Sequence, residues 1–241
     1  MTTGCIIQAR MSSTRLPGKV LMKLDEQNTI LDFVIQQIKH CKSIEKIIIA
    51  TTNLKEDDVI EIFAKNKNIL CFRGNPSDVL DRYYQCAKLY SLSIIIRITA
   101  DNPLIDPTIM EKVITEFRSR SCDYISNAVV RSFPYGTETE IFSFDALEKA
   151  WNNAKNDNER EHVTPYFYNN PDKFRIHHVE NQKNLSSLRW TVDQIEDLIL
   201  VKNIVSKINK NPILMTDIVN LLTKEPKLVD INKSVLHKHI K

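Results

Sequence analysis

Hydrophobic positions along the first half of the chain follow two alternating periods. Short runs dominated by β-branched residues, at 46–50 and 94–99, are typical of strands buried on both faces of a parallel sheet. Between such runs, apolar residues recur every three or four positions, as at Ile30, Val34 and Ile38, which predicts amphipathic helices. This alternation predicts an α/β fold with a mostly parallel sheet and helices on both faces.

The predicted elements of this half are strands that alternate with helices. The strands are expected at 5–7, 46–50, 69–72 and 94–99. The helices are expected at 29–41, 56–65, 78–89 and 106–118, with Ser77 as the N-cap of the third. Ligands of such open sheets bind beyond the carboxyl ends of the strands, so the loops at that edge are the first place to look for a site.

The regular alternation ends at about Tyr124. The elements predicted beyond it are a helix at 145–154 capped by Ser143, strands at 174–179 and 188–192, and helices at 195–208 and 216–224. We predict a single domain over 1–225, with 124–190 as an excursion from the core sheet. A polar tail at 226–241 follows and is expected to be mobile.

Composition restricts the class of protein and of partner. The chain has 241 residues, of which 42% are hydrophobic and 26% charged, as in an ordinary globular protein. A net charge of +3 is too small to indicate a nucleic-acid partner. No apolar run approaches the roughly 20 residues of a membrane span. Because the five cysteines form no C-x-x-C pair and no signal peptide is visible, reduced thiols and a cytoplasmic location are expected.

A polar loop rich in cations and small residues follows the first predicted strand. Arg10, Arg15 and Lys19 supply three positive charges, and the backbone N–H groups of such a loop can face the same anion. The forked guanidinium and the compact ammonium suit different oxygens of a polyphosphate. The Walker A and dinucleotide-binding patterns are both absent. The loop therefore predicts a polyphosphate site of another kind.

The segment Gln8-Ala-Arg-Met-Ser-Ser-Thr-Arg-Leu-Pro-Gly-Lys19 resembles the signature loop of the cytidylyltransferases that activate sugars with CTP. That superfamily includes the enzymes that make CMP-Kdo and CMP-sialic acids, and the similarity is greatest to its spore-coat polysaccharide (SpsF-type) branch. The resemblance implies a nucleotide-diphospho-sugar-transferase fold of the GT-A or Rossmann-like type. It also implies transfer of CMP from CTP to a sugar or sugar-acid acceptor with release of pyrophosphate, in surface polysaccharide or glycan biosynthesis. A homodimer is compatible with the family.

The resemblance assigns the loop to the nucleotide. Its predicted nucleotide-binding residues are Gln8, Ala9, Arg10, Ser13, Arg15 and Lys19. Arg10 is assigned to the phosphates near the reacting centre, and Arg15 and Lys19 to the β/γ side. Charge that builds on the phosphates during nucleotidyl transfer needs fixed cations at both places.

Two aspartates are candidate Mg²⁺ ligands. Asp101 lies just past a predicted buried strand and resembles the metal-binding Asp of the family's Asp-x-Pro-Leu-Ile motif. Asp193 resembles the second carboxylate, in the family's late strand–Asp–helix motif. One or two carboxylates suffice for Mg²⁺ when phosphate oxygens and water complete the shell. Taken singly, Asp101 is also explained as a turn former and Asp193 as a helix N-cap. Arg10, Lys19 and Asp101 form the predicted catalytic set.

The nucleobase site is expected where the second and third strands end. Its candidates are Thr51, Thr52, Arg73, Gly74, Ser77 and Asp78. Small pockets of hydrogen-bonding groups discriminate bases well, and the resemblance places cytosine and ribose against this loop. Gly74 indicates a positive φ or a close backbone approach, although an ordinary strand-to-helix turn is an alternative explanation of the segment. Arg97, inside an apolar strand, either pairs with an acidic residue or reaches the site.

The acceptor site is expected in the excursion at 124–190, where 135–142 and 160–165 resemble motifs of the SpsF-type branch. The candidates are Arg160, His162 and Arg189 for an anionic substituent, and Glu138 and Glu140 for hydroxyls or an amine. His162 suits a general base and a structural hydrogen bond equally well.

Other functions are not excluded by these residues. The acceptor can instead be a phosphorylated small molecule that gives a CDP-linked product. A GT-A-type glycosyltransferase would consume a nucleotide sugar, but the D-x-D motif usual in such enzymes is absent. A non-catalytic nucleotide-binding partner is a third class, and the intact set of loop cations and aspartates argues against it.

Overall fold

A computed structural model describes residues 1–235 of the chain. The strands in this part are β1 (Thr3–Gln8), β2 (Lys46–Thr52), β3 (Leu70–Gly74), β4 (Ile94–Thr99), β5 (Tyr124–Ser126), β6 (Glu140–Ser143) and β7 (Ile176–His178). The helices are α1 (Ile30–Lys39), α2 (Asp58–Asn66), α3 (Val79–Leu89), α4 (Pro107–Arg120), α5 (Phe144–Asn153), α6 (Asp157–His162), α7 (Pro165–Tyr168), α8 (Ile195–Lys207) and α9 (Met215–Lys224). Short 3-10 helices lie at Lys19–Leu21, Lys55–Asp57, Pro171–Lys173 and Pro226–Asn232. None of the described helices is long and apolar enough to cross a membrane.

The seven strands of the described part form one sheet in the order β3-β2-β1-β4-β6-β5-β7. β1 pairs in parallel with β2 and β4, and β3 pairs in parallel with β2. β6 runs antiparallel to both β4 and β5, and β7 extends the sheet parallel to β5. The predicted α/β class with a mostly parallel sheet is confirmed, and the irregular second half of the chain contributes the antiparallel strand.

Helices cover both faces of the sheet because successive residues of each strand point to opposite sides. Ile7 of β1 lies in a buried cluster with residues of α1 and α4, whereas Ile6 packs on the other face with residues of α3 and α5. A third buried cluster around Trp190 joins α8 and α9 to the first turn of α1. These layers hold the carboxyl ends of β1, β2 and β4 at one edge, where the loops with the predicted site residues leave the sheet.

The strand predicted at 188–192 does not form. This segment makes a single bridge, between Tyr135 and Arg189, and its Val192 N–H donates to the carbonyl oxygen of Asp101 at 2.8 Å. Its backbone partners belong to loops rather than to a strand, so no ladder of hydrogen bonds can extend along it. The strand predicted at 174–179 is reduced to the three residues of β7.

The N-cap of α3 is Asp78, one residue later than predicted. Its carboxylate accepts from the backbone N–H of Asp81 at 2.9 Å, whereas Ser77 is exposed and donates its hydroxyl to Asn75. The negative charge of a carboxylate also complements the positive end of the helix dipole, which a hydroxyl does not. Ser143 caps α5 as predicted.

Part of the expected tail packs on the domain instead of being mobile. The 3-10 helix Pro226–Asn232 buries Leu228 in the third cluster, with Val229 and Ile231 partly buried beside it. The prediction of a polar, mobile tail was wrong for 226–235, because these apolar side chains cover surface on α8 and α9. Residues 236–241 of the predicted tail lie outside the described part.

We expect Leu228→Ala to lower the free energy of unfolding by about 2–4 kcal/mol, because it removes buried methyl groups and leaves a cavity. Urea denaturation followed by circular dichroism measures the change. Lys227→Ala alters the exposed neighbouring position and should change stability by less than about 0.5 kcal/mol. If Leu228→Ala and wild type unfold at the same urea concentration, the segment does not pack on the domain.

Candidate active site

The loops that follow β1 and β4 leave the sheet side by side. Gln8 pairs with Ala50 of β2 on one side and with Thr99 of β4 on the other. Beyond these pairs, the Ala9 N–H donates to the Ala50 carbonyl at 3.1 Å and the Ala100 N–H to the Gln8 carbonyl at 3.0 Å. The phosphate-loop candidates and Asp101 therefore start from neighbouring points on the same edge.

Local hydrogen bonds fold the loop after β1 back on itself. The Met11 N–H donates to Asp57 at 2.7 Å, and the Gly18 N–H donates to the Met11 carbonyl at 2.9 Å. Gly18 has φ +70, a left-handed conformation that glycine adopts without strain, and it precedes the 3-10 helix that begins at Lys19. The Ser13 hydroxyl accepts from the Leu16 N–H at 3.3 Å. This turn directs Lys19 inward while Arg10 and Arg15 stay exposed.

Lys19 joins the two predicted metal ligands. Its ammonium lies 2.8 Å from Asp101 Oδ2, 2.9 Å from Asp193 Oδ1 and 2.7 Å from the Val192 carbonyl oxygen. Burial alone would lower the pKa of Lys19, but the charges and hydrogen bonds of the two carboxylates outweigh it, so the net pKa is raised. Asp101 and Asp193 thus bind the same ammonium, although they lie 82 and 174 positions from Lys19 along the chain.

Asp193 is bound by two further cations. Arg15 Nη2 lies 2.8 Å from its Oδ1, and Arg189 Nη2 lies 2.8 Å from its Oδ2. Burial raises the pKa of Asp193, whereas Lys19, Arg189 and Arg15 lower it, and the net pKa is about 2. The carboxylate is therefore ionised at neutral pH and available as an oxygen ligand.

A buried layer behind Asp193 fixes its position. Asp197 is fully buried and accepts from Arg189 Nε at 2.9 Å, from the backbone N–H of Asp193 at 3.0 Å and from Asn232 Nδ2 at 2.8 Å. Asn232 also donates to the Arg189 carbonyl at 3.2 Å. Sequence reasoning assigned no role to either residue. Asp197 stands one helical turn after Asp193, which was a usable signal, whereas nothing in the sequence near Asn232 indicated a contact with the site.

The donor set fits a hard divalent cation. Asp101 and Asp193 already converge on one positive charge, and Mg²⁺ prefers such carboxylate oxygens together with phosphate oxygens and water. Within residues 1–235 no group of three or more His, Cys, Asp or Glu side chains is placed to hold a metal. A metal at this edge would therefore depend on these two carboxylates and on its substrate for ligands.

The predicted base-site residues lie at the same edge, but most are engaged with the protein. The Thr52 hydroxyl donates to Asp57, and Arg73 donates to Asp58 at 2.6 Å and to Glu61 at 2.8 Å. Thr51 is fully buried, and its hydroxyl has no partner in the described chain. The acidic first turn of α2 thus holds Arg73 at the rim, and a contact of Arg73 with the base stays a prediction.

Gly74 is needed for close packing rather than for an unusual φ. A Cβ at this position would lie 2.9 Å from the Phe72 ring and 3.1 Å from Arg82 Cγ. Gly74 is not among the residues with positive φ. The close approach of backbone that the sequence indicated therefore involves α3, through the side-chain stem of Arg82.

The predicted acceptor residues make structural contacts. Arg160 Nε donates to Asp78 at 2.9 Å and its Nη1 to the Trp151 carbonyl at 2.8 Å, which ties α6 to the first turn of α3. Arg189 is held by Asp193 and Asp197, as described above. The guanidinium groups predicted to bind an anionic acceptor are thus each paired with carboxylates, and acceptor binding by Arg160 and Arg189 stays a prediction.

The two predicted acceptor glutamates are also paired. Glu140 is buried and accepts from Arg97 and from the Tyr124 hydroxyl, so Arg97 pairs with an acidic residue, the first of its two predicted roles. Glu138 accepts from Arg131 at 2.8 Å and from the Gly136 N–H at 2.8 Å. Their contact with an acceptor likewise stays a prediction.

His162 ends α6 and is half-buried. Burial lowers its pKa, Glu161 opposes this, and the positive charges of Arg97 and Arg10 lower it further, so the net pKa is lowered. A neutral imidazole can accept a proton, so the general-base role keeps its chemical basis.

Because the pKa of Asp193 is depressed, its contribution to the free energy of unfolding should depend on pH. The pKa is about 2 in the folded chain and about 3.9 in an unfolded one. The contribution is therefore fully present when the pH is above the pKa of the unfolded chain, and it is lost as the pH falls towards the pKa of the folded chain. We expect the stability difference between wild type and Asp193→Asn to shrink by about 2 kcal/mol from about pH 5 to about pH 2. Urea denaturation at a series of pH values measures it, with the exposed Asp230→Asn as control. A difference that is constant with pH would contradict the assignment.

Comparisons with known proteins identify the family of the chain. The chain matches the family model described as Cytidylyltransferase over residues 4–223. It is 39% identical over 235 residues to an uncharacterized protein of Methanocaldococcus jannaschii, covering 97% of this chain and 95% of that one. It is 31% identical over 229 residues to the spore coat polysaccharide biosynthesis protein SpsF of Bacillus subtilis, covering 92% and 94%.

Solved structures give the same result. The structure of a cytidylyltransferase from Leptospira borgpetersenii superposes with a TM-score of 0.93 at 34% identity, covering 98% of this chain and 100% of that one. The match spans the sheet, the loop after β1 and both aspartate segments, so the expected nucleotidyltransferase-type fold is confirmed. The chain belongs to the cytidylyltransferase family and is a nucleotidyltransferase.

Proposed function

We propose that the chain is a Mg²⁺-dependent enzyme that transfers CMP from CTP to a sugar or sugar-acid acceptor, with release of pyrophosphate, in surface polysaccharide or glycan biosynthesis. The observation that carries the proposal is the convergence of Asp101 and Asp193 on Lys19 at the carboxyl edge of the sheet. Two carboxylates and a cation at this edge fit the reacting end of a metal-bound triphosphate.

In the proposed reaction an acceptor oxygen attacks the α-phosphorus of CTP. The bond between that phosphorus and the oxygen bridging to the β-phosphate breaks, and pyrophosphate leaves with the electron pair. Negative charge grows on the α-phosphate oxygens and on the bridging oxygen. The protein therefore has to hold positive charge at fixed positions more than it has to form covalent bonds.

Different residues at this edge of the sheet would bind the metal and the phosphates. Asp101 and Asp193 would hold Mg²⁺, which when bound neutralises phosphate charge and can lower the pKa of an acceptor hydroxyl. Arg15 and Lys19 lie beside those carboxylates and would bind the leaving phosphates. Arg10 is exposed at the start of the loop and would bind phosphate oxygens near the reacting centre.

The acceptor class rests on the family and on its named members. The chain is similar over more than nine-tenths of its length to a protein named for spore coat polysaccharide biosynthesis. Family membership favours nucleotidyl transfer over the alternative of a glycosyltransferase that consumes a nucleotide sugar. A phosphorylated acceptor would need no deprotonation before attack, and the choice between the two acceptor classes is an outcome of the assay below.

We expect CTP with Mg²⁺ to stabilise the wild-type chain far more than UTP, GTP or ATP. A ligand that binds only the native state at 100 times its Kd adds about 2.7 kcal/mol, which thermal unfolding detects easily. Pyrophosphate release from CTP, with sugar acids and with sugar phosphates as separate panels, then identifies the acceptor class. Asp101→Asn should lower the rate of release by about 10²-fold or more, because it removes a metal ligand. Asp172→Asn is the control at an exposed position.

Retained turnover in Asp101→Asn would remove the metal assignment. A large shift with a nucleotide sugar, and none with any triphosphate, would overturn cytidylyl transfer as the reaction.

The position of Lys19 leads to a second expectation, since its ammonium competes with a metal for the same two carboxylates. Lys19→Met should strengthen Mn²⁺ binding to the nucleotide-free protein by about tenfold, because Asp101 loses its counter-ion and Asp193 loses one of its three cations. The same variant should lower turnover by about 10²-fold or more, because a cation beside the phosphates is gone. Calorimetric titration and the pyrophosphate assay measure the two effects, and the exposed Lys23→Met is the control. Weaker Mn²⁺ binding in Lys19→Met would contradict the assignment of these carboxylates to a metal.

A further inference from the structure

Arg82 is a fully buried arginine whose side chain has no hydrogen-bond acceptor. Its Nε, Nη1 and Nη2 atoms are all buried and all without a partner among the described residues. Two other arginines of the site differ, because the half-buried Arg97 is paired with Glu140 and the buried Arg189 with two aspartates. A guanidinium carries five N–H donors and one positive charge, so burying it unpaired is among the costliest arrangements that a fold can contain.

Carboxylates near Arg82 are already in use. Asp57 accepts from the Met11 N–H and from the Thr52 hydroxyl. Asp78 caps α3 and is bound by Arg160. Burial lowers the pKa of Arg82, and the positive charge of Arg10 adds to this, which together outweigh the opposite influence of Tyr83 and of the two aspartates. The fold therefore supplies no partner that would explain a buried cation at this position.

Arg82 lies at the edge of the sheet where the nucleotide is proposed to bind. It is in the first turn of α3, and its Cγ would lie 3.1 Å from a Cβ on Gly74, the last residue of β3. The Gly74 carbonyl accepts from the Asn53 N–H just beyond β2. The adjacent Tyr83 points its hydroxyl at the Ile6 carbonyl of β1, 3.4 Å away. Arg82 is thus positioned beside the end of β3, next to the end of β2.

Two other arginines on this side of the site keep unpaired donors or an exposed side chain. Arg97 lies over the Tyr83 ring, 5.9 Å from its centroid, and its Nε also lacks a partner in the part of the chain that the structure describes. Arg10 is exposed on the loop after β1, and its positive charge lowers the pKa of Arg82. The Lys19 cluster differs, because two carboxylates bind its ammonium directly.

We propose that Arg82 binds an anionic oxygen group of a substrate, a phosphate or a carboxylate, which supplies the acceptor atoms that the fold does not. The site rests on the proposed function in that the anion belongs either to the nucleotide or to the acceptor molecule. Arg160 and Arg189, the arginines predicted to bind an acceptor anion, are paired with aspartates. The side-chain donors of Arg82, by contrast, have no acceptor among the described residues.

Stability of the ligand-free protein gives the first test. Arg82→Met keeps the length of the side chain and removes an unpaired buried charge, so it should raise the melting temperature by a few degrees. A side chain that served only the fold would give the opposite sign, and a lower melting temperature for Arg82→Met would overturn the proposal. Arg120→Met makes the same substitution at a half-exposed site on α4 and should leave the melting temperature within about 1 °C. Arg82→Lys keeps the positive charge but replaces the planar guanidinium by an ammonium, so it tests whether the guanidinium geometry is required.

Binding gives the second test and identifies the source of the anion. Calorimetric titrations use CTP with Mg²⁺, and inorganic phosphate against both the free and the CTP-saturated protein. If the anion is a nucleotide phosphate, Arg82→Met should weaken CTP binding by about tenfold or more, as expected for a charged hydrogen bond. If the anion belongs to the acceptor, CTP binding should be unchanged. Phosphate should then bind the CTP-saturated wild type at least about tenfold more tightly than it binds CTP-saturated Arg82→Met. Equal binding of CTP and of phosphate by wild type and Arg82→Met would overturn the proposal.

The failure of this inference can be told apart from the failure of the proposed function. A wild-type protein that binds no CTP would remove the proposed function, while the titration of phosphate into the free protein would still test Arg82. If the wild type turns over CTP and Arg82→Met binds CTP and phosphate as tightly as the wild type does, the proposed function stands and Arg82 has only a structural role.

Discussion

The site depends on keeping two carboxylates from distant parts of the chain at one point. Asp101 and Asp193 would repel each other at the edge of the sheet, and the ammonium of Lys19 between them removes that repulsion. Three chain segments are held together by this contact: the loop after β1, the turn after β4 and the extended segment before α8. Loss of the ammonium would leave Asp101 without its counter-ion and would remove one of the three cations that bind Asp193, so the position of Lys19 constrains how each of these segments folds.

Asp193 is held in place by a network of buried residues behind it. Asp193 is oriented by Arg189, which is bound to the fully buried Asp197, and Asn232 closes the network from a 3-10 helix near the end of the described chain. Such partners fix the direction of a ligand more than they add to overall stability. Across the same edge, the carboxylates near α3 are bound by other groups, and the guanidinium of Arg82 has no hydrogen-bond acceptor among the described residues. The two sides of the site therefore differ in hydrogen bonding: the ammonium of Lys19 is bound by carboxylates, whereas the donors of Arg82 are not.

Much of this could be predicted from the chain itself. The two periods of apolar residues predicted the parallel core and its helices, and the motif of Gln8 to Lys19 predicted a phosphate-binding loop. The sequence was less informative where partners come from remote segments. Segment 188–192 has the pattern of a strand but pairs with loops, and the pairing of Arg160 with Asp78 could not be inferred from its charge. The tail, judged from its polar residues, still buries Leu228 because surface is available on α8 and α9.

The sequence by itself determined the fold class, the family and the chemical character of the site, because local periodicity and a contiguous motif depend only on residues that are close together along the chain. Only the tertiary structure decided which charges meet. Lys19 lies 82 residues from Asp101 and 174 from Asp193, Asn232 lies 35 from Asp197, and Arg82 is singled out by partners that it lacks. Whether a charged side chain is a structural ion pair or an open binding group depends on distances across the fold, and spacing along the chain does not contain them.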